Sequence, residues 1–253
     1  MRRESSASQA TADDLARECL YRFLSAVVAG PYSADWERAL GAENQDLVIE
    51  AWHWLQPESD EFEMIRLMEE LEASPQALRA QYDKVFGLVV PKECPPYETE
   101  YYPALETFGR SQQLADVAGF YRAFGIEPRQ SFPERPDHLA LQLEFMAFLL
   151  LKKRLALATA DLGPEASEPA CICERAHRDF FRDHLAWWVP VFAAGLRRKA
   201  TNGYHRALAR VLAAWIPAEC RRLDISAVLR PVRPEQIEGP VEPSGCDACP
   251  HHL

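Results

Sequence analysis

The sequence predicts an all-α fold, a helical bundle of about nine to eleven helices followed by a loosely ordered C-terminal tail. Apolar residues recur at three- and four-residue intervals through most of the chain, and no run of alternating β-branched residues reads as a strand. Proline-rich segments at Val89 to Phe108 and Gly125 to Arg135 interrupt the periodic stretches.

In chain order, Thr11 to Val28 sets Leu15, Cys19, Phe23 and Ala26 on one face, with Thr11 or Asp13 as the expected N-cap. The same periodicity predicts helices over Ala34 to Leu40, Gln45 to Leu55, Glu58 to Leu71, Pro75 to Val85, Ser111 to Phe124, Pro136 to Ala160, Ala170 to Leu196 and Asn202 to Arg221. Pro75 and Pro136 suit a first helical turn, and Gly30 and Gly125 suit helix ends. "GLVVP" at Gly87 to Pro91 is β-like but too short for a strand. The chain divides into a helical domain over 1–222, either one body or two lobes joined near 125–135, and a tail over 223–253 containing five prolines.

Composition excludes several classes. With 253 residues and 48% hydrophobic content the chain can bury a substantial core, and its formal net charge of −10 opposes binding to nucleic acid or an anionic membrane surface. No apolar run is long enough to span a bilayer: Phe145 to Leu151 is followed at once by Lys152, Lys153 and Arg154. Arg2 and Arg3 are followed by Glu4, serines and Asp13 instead of an apolar segment, so the expected location is the cytoplasm, with the seven cysteines reduced. No phosphate-binding loop, dinucleotide fingerprint, nucleophile elbow or zinc-protease motif is present, which predicts a protein that is not an enzyme.

Two stretches carry the functional reading. "CPPYETEYYP", Cys94 to Pro103, places two prolines before three tyrosines and two glutamates; the prolines fix an extended or turning backbone and the rings need something to pack on. Tyr97, Tyr101 and Tyr102 either plug a helix junction, with Glu98 and Glu100 solvated outside, or form a ligand surface. "PERPDHLALQLEFMAFLL" opens a helix that is apolar nearly all round and therefore central. Asp137 there reads first as an acid capping the helix start, and His138 as a structural hydrogen-bonding residue. The proline-aromatic loop and the Gly125 to Arg135 connector are expected to face one another across the Ser111 to Phe124 helix. Trp52, Trp54, Trp187 and Trp188 read as core and interface.

"YDKVFGLVVPKECPPYETEYY", "PERPDHLALQLEFMAFL" and "HLAWWVPVF", in that order, resemble the maturation chaperones of the TorD/DmsD/NarJ type, which serve molybdenum enzymes of the dimethyl sulfoxide reductase superfamily. The resemblance runs from the first helix to about Arg221. It implies an all-α protein that binds the N-terminal, twin-arginine type leader of a molybdenum oxidoreductase catalytic subunit, and holds that partner while its cofactor is installed. By position it assigns leader binding to Tyr82, Phe86, Pro96, Tyr97, Glu98, Asp137 and His138. Glu100 joins them on charge: from Glu93 to Glu144 nine Asp or Glu face four Arg, carrying half of the chain's net charge. Carboxylates beside aromatic faces suit an Arg-Arg peptide with an apolar segment. Neither a catalytic residue, a metal ligand nor a cofactor is assigned, and a monomer or homodimer is expected.

The tail departs from this pattern. "PSGCDACPHHL" sets Cys246 and Cys249 two residues apart beside His251 and His252, and Cys171 and Cys173 lie upstream. A Cys-x-x-Cys is half of a zinc or iron-sulfur site, so a metal- or redox-responsive helical regulator stands as the alternative reading, and a helical subunit that stays in its complex as a third.

Overall fold

The structure, a computed structural model, describes residues 2–55, 62–87, 92–102, 107–127, 134–159 and 167–226. Its first helix, α1 (Arg2–Ala29), starts earlier than the capping signals predict. Nothing in residues 2–10 stops a helix, so Thr11 and Asp13 lie within it rather than at its cap. It ends at Gly30, whose φ of +81° a residue with a Cβ rarely adopts.

Then follow α2 (Trp36–Ala39), α3 (Ala42–Leu55), α4 (Phe62–Leu71), α5 (Pro75–Val85), α6 (Thr107–Ala123), α7 (Leu139–Thr159), α8 (Ser167–His184), α9 (Val189–Lys199) and α10 (Tyr204–Arg222). With a short 3-10 turn at Glu98–Tyr101, the described residues are otherwise helix and connection, as the sequence predicts. Pro75 occupies the first turn of α5, where Ser74 Oγ accepts from Ala77 N at 3.3 Å.

Two expectations are corrected. The stretch predicted as one helix over Ala170 to Leu196 is two, because Pro190 has no N–H to give to the preceding turn; α8 stops at His184 and Pro190 enters the first turn of α9. The helix predicted from Pro136 starts three residues later, because residues 136–138 pair with the proline-tyrosine loop instead.

α7 packs between α1 and α8, and α10 packs on α9 and α4. Its all-round apolarity fits this place: Leu139, Leu143, Phe145, Met146, Leu149 and Leu150 are all buried. Aromatic rings join the layers edge to face, Phe145 with Phe180 at 4.7 Å and Tyr21 with Trp215 at 5.4 Å. Trp52, Trp187 and Trp188 are core residues, but Trp54 is half exposed and donates to Asp13 Oδ1 at 2.8 Å. None of the described helices is long and apolar enough to cross a membrane.

A buried ionic network locks α1 to the bundle. Arg17 Nη2 donates to Glu219 Oε2 at 2.7 Å and Arg17 Nε to Oε1 at 3.1 Å, while Tyr21 OH donates to Oε2 at 2.7 Å. Arg222 reaches the same carboxylate at 3.2 Å, and Asp14 joins Arg17 at 3.4 Å and Lys153 at 2.9 Å. Glu18 pairs with Arg22 and with Arg154 of α7. Burial works against the Arg17 charge, yet Glu219, Tyr21 and Asp14 raise its pKa above the ordinary arginine value.

Such a pair stabilises mainly by leaving no buried charge alone. Glu219→Leu, which removes the forked partner of Arg17 and leaves it only the longer ion pair with Asp14, is therefore expected to cost about 3–5 kcal/mol in denaturant unfolding, and the Arg17→Met/Glu219→Leu pair to cost markedly less than Glu219→Leu alone. Equal losses in the two variants would refute this account.

Candidate functional site

The proline-tyrosine loop is built onto two helices. Pro95 and Pro96 cannot donate, so the chain there runs extended, and it lies so close to α9 that a Cβ at Gly195 would sit 2.2 Å from the Glu93 carbonyl oxygen. On its other side it pairs with the segment leading into α7 as an isolated antiparallel bridge between Tyr97 and His138. Leu139 N donates to Pro96 O at 2.9 Å and Glu98 N to Asp137 O at 3.0 Å. The loop and the end of the second connector thus touch directly rather than facing each other across α6.

Glu98 is fully buried at the centre of this junction. Gln113 of α6 donates to its Oε1 at 2.8 Å, Gln142 of α7 to its Oε2 at 2.6 Å, and Trp187 Nε1 to its Oε1 at 3.3 Å. His184 Nδ1, at the end of α8, lies 3.2 Å from Oε2, and His184 Nε2 is 3.4 Å from Asp116. Burial holds the Glu98 carboxyl above the usual range, and the hydrogen bonds from His184, Gln113 and Gln142 offset only part of that rise.

Asp137, also fully buried, caps the loop rather than its own helix. Its Oδ2 accepts from Thr99 N at 3.0 Å and Thr99 Oγ1 at 2.8 Å. Arg135 closes the arrangement with Nε to Asp137 Oδ1 at 3.1 Å and Nη2 to Oδ2 at 3.0 Å. Glu100 accepts from Arg135 Nη1 at 3.2 Å and from Arg110 Nη2 at 2.8 Å. Of the predicted carboxylates, Glu98 and Asp137 therefore face inward and Glu100 is held between two arginines. His138 accepts from Ala140 N at 3.1 Å through Nδ1, and burial lowers its pKa, so it is a neutral imidazole at neutral pH.

The tyrosines divide between both expected roles. Tyr101 is buried 5.1 Å from Trp188, and Tyr102 packs at 4.9 Å on Trp187. Tyr97 stays half-buried, edge to face with His138 at 5.0 Å, and its hydroxyl donates to Glu134 at 3.2 Å; burial and then Glu134 push that hydroxyl up to about 12.

Tyr82, on α5, and Phe86, at its C-terminal cap, form a second aromatic group with His205, their rings 5.9 and 5.2 Å from the imidazole. The Tyr82 ring lies against the Gly30 corner, where an added Cβ would be 2.2 Å away. Tyr32, 60% exposed, stands 5.8 Å from Tyr82 and donates to Asp83 at 2.9 Å.

All eight predicted residues thus lie on α5, the loop or the approach to α7, but only Tyr97, Tyr82 and Glu100 retain appreciable exposure. Sequence reading missed Thr99, Arg110, Gln113, Arg135 and Gln142. The available signal was polar residues interrupting helices that are otherwise apolar, Gln142 above all. Among the described residues no group of three or more His, Cys, Asp or Glu could hold a metal ion. Cys171 is exposed while Cys173 is buried, with its thiol pushed up by burial; Cys246 and Cys249 lie outside the described residues.

Residues 55–194, from the end of α3 into α9, match the family described as the nitrate reductase delta subunit. The chain belongs to that family. Over 127 residues it is 35% identical to the selenate reductase assembly chaperone protein of Thauera selenatis, covering 50% of this chain and 60% of that protein. The chlorate reductase assembly chaperone protein of Ideonella dechloratans is 39% identical over 94 residues, 37% of this chain and 45% of its own length. Chaperone protein TorD of Vibrio cholerae is 31% identical over 114 residues, 45% of this chain and 47% of its own. The chain spans about half the length of the curated relatives it matches. These relatives are named as chaperones rather than enzymes, which bears out the resemblance to TorD-type proteins.

The buried carboxylate and imidazole each yield a test. Asparagine at 137 offers one acceptor oxygen where four donors converge on two, so Asp137→Asn is expected to destabilise by about 1–3 kcal/mol in chemical denaturation, whereas a mere helix cap would tolerate it. His205, held down to about 3 by burial, stays neutral when the unfolded chain takes up a proton near pH 6.5. Stability is thus fully present above pH 6.5 and lost as pH falls, by about 2 kcal/mol between pH 7 and 5 from this residue. His138 and His177 act in the same direction and Glu98 in the opposite one. In urea melts at both pH values, His205→Leu should shrink the acid loss by about that amount, and an unchanged pH dependence would reject the assignment.

Proposed function

We propose that this chain is a non-catalytic maturation chaperone, acting in the cytoplasm, that binds the N-terminal leader of a molybdenum oxidoreductase subunit and holds that partner until its cofactor is inserted. The observation that carries the reading is the family match combined with the tyrosine-and-carboxylate face at the junction of α5, the loop and the approach to α7. The relatives are named for the assembly of selenate and chlorate reductases, and the matched stretch contains this junction.

The roles divide by burial. Tyr97, Tyr82 and Tyr32 offer ring faces and edges to an apolar leader segment, and Glu134, Glu100 and Asp83 supply acceptors for its arginines. Phe86, Pro96, Glu98, Asp137 and His138 act from beneath, fixing the loop so that Tyr97 stays presented. Extended peptides with few residues in contact bind best to a surface that is ordered beforehand, since less entropy is lost on association.

A synthetic leader with an Arg-Arg pair followed by an apolar stretch of about ten residues is expected to bind in isothermal titration, more weakly as salt rises. Tyr97→Ala should weaken binding about tenfold or more while leaving the melting curve nearly in place, as expected when an anchoring ring is lost from a contact surface. In cells lacking the parent protein, the same variant should restore less reductase activity. Full affinity in Tyr97→Ala would remove this face as the binding surface.

A further inference from the structure

Arg135 is bound here the way a ligand's guanidinium would be. Its Nε and Nη2 meet the two Asp137 oxygens in a forked pair at 3.1 and 3.0 Å, Nη2 also donates to Thr99 Oγ1 at 2.7 Å, and Nη1 donates to Glu100 at 3.2 Å. The guanidinium carbon lies 4.3 Å from the centroid of the Tyr97 ring. All three nitrogens and one face are therefore engaged, an arrangement that suits a planar guanidinium and that a lysine ammonium cannot reproduce.

Guest and frame differ in how they are held. Asp137 is fully buried and fixed by Thr99, and the 3-10 turn is anchored independently through Glu98, Gln113 and Gln142. Arg135, by contrast, has a side chain that is 40% exposed, on the face that also presents Tyr97. Its removal would leave Asp137 and Glu100 with Arg110 as the cation that reaches Glu100.

We infer that Tyr97, Thr99, Glu100 and Asp137 form a guanidinium-binding site which the chain's own Arg135 occupies until a leader arginine displaces it. This rests on the leader-binding reading above and adds to it the position of one arginine and an internal competitor. Self-occupancy lowers apparent affinity by the fraction of molecules whose site is open, so a site filled by Arg135 about nine-tenths of the time would bind a leader about tenfold more weakly than an open one. A competitor of this kind admits a ligand with two arginines and an apolar segment while refusing isolated basic residues.

The test compares the parent and Arg135→Ala by titration against three synthetic leaders that carry Arg-Arg, Lys-Lys or Gln-Gln before the same apolar stretch, with melting curves alongside. Arg135→Ala should bind the Arg-Arg leader about tenfold more tightly than the parent does, gain clearly less for Lys-Lys and nothing for Gln-Gln. If the alanine variant fails to fold, Arg135→Lys, which keeps a cation but loses the fork, should still gain several-fold for Arg-Arg alone. Unchanged or weaker Arg-Arg binding in a folded variant overturns the inference while leaving the leader reading intact, as does an equal gain for all three leaders. Failure of the Arg-Arg leader to bind either protein overturns the leader reading itself, and the inference with it.

Discussion

A carboxylate buried among helices must find donors, and Glu98 finds them on three sides. An unpaired ionised acid in an apolar interior costs far more than a missed hydrogen bond, so the fold around it is constrained to bring Gln113, Gln142, His184 and Trp187 within reach. These four residues lie on α6, on α7, at the end of α8 and in the turn before α9. The proline-tyrosine loop is thereby pinned to elements that otherwise have little reason to meet there. Its own short bridge to residues 137–139 has too few backbone hydrogen bonds to hold it alone, since an isolated pair of short extended segments is marginal in water.

The same logic operates at the other end of the bundle, with a different outcome. Arg17, Glu219, Tyr21 and Asp14 make a second buried polar cluster, but it joins regular helices to one another and leaves no loop on the surface. At Glu98 the buried charge supports a turn in which Thr99 stays buried against Asp137 while Glu100 comes part-way out toward solvent near Tyr97. A polar core feature becomes a positioning device when the chain leaving it carries exposed side chains at fixed spacing. Asp137 repeats the pattern from the opposite strand of the bridge, binding Thr99 beneath while Arg135 covers it from outside.

The helical architecture was largely legible because apolar periodicity is a property of each segment, and ends marked by Ser74, Gly30 and Gly125 carry their own local chemistry. Pro190 was legible in principle: a proline well inside a predicted 27-residue helix, six residues before its end at Leu196, should have divided it. The site was legible only as a neighbourhood. Which face a glutamate in a loop turns inward depends on donors far away in sequence, 44 residues away for Gln142 and 86 for His184, and no local pattern encodes that pairing. Asp137 looked like a cap because the residue type and position fit one; Thr99, the group it actually satisfies, lies 38 residues upstream. The exposed Trp54 likewise followed its partner, Asp13 on α1, rather than its helix's apolar pattern.

The acidity of this region does different work from what its sequence suggests. Nine acids against four arginines between Glu93 and Glu144 read as a field waiting for a cation, yet Glu98, Glu100 and Asp137 are each engaged by partners within the chain. The net charge of −10 still acts at a distance, raising the encounter rate of a basic segment and fading as salt screens it. Grip at short range is another matter: it must come from exchanging one set of paired contacts for another, and its strength is the difference between the two sets. A surface whose carboxylates were all open would attract any basic chain. One whose carboxylates are already satisfied by well-formed internal pairs discriminates by geometry, since only a guest matching the fork and the ring can take the place of what is already bound.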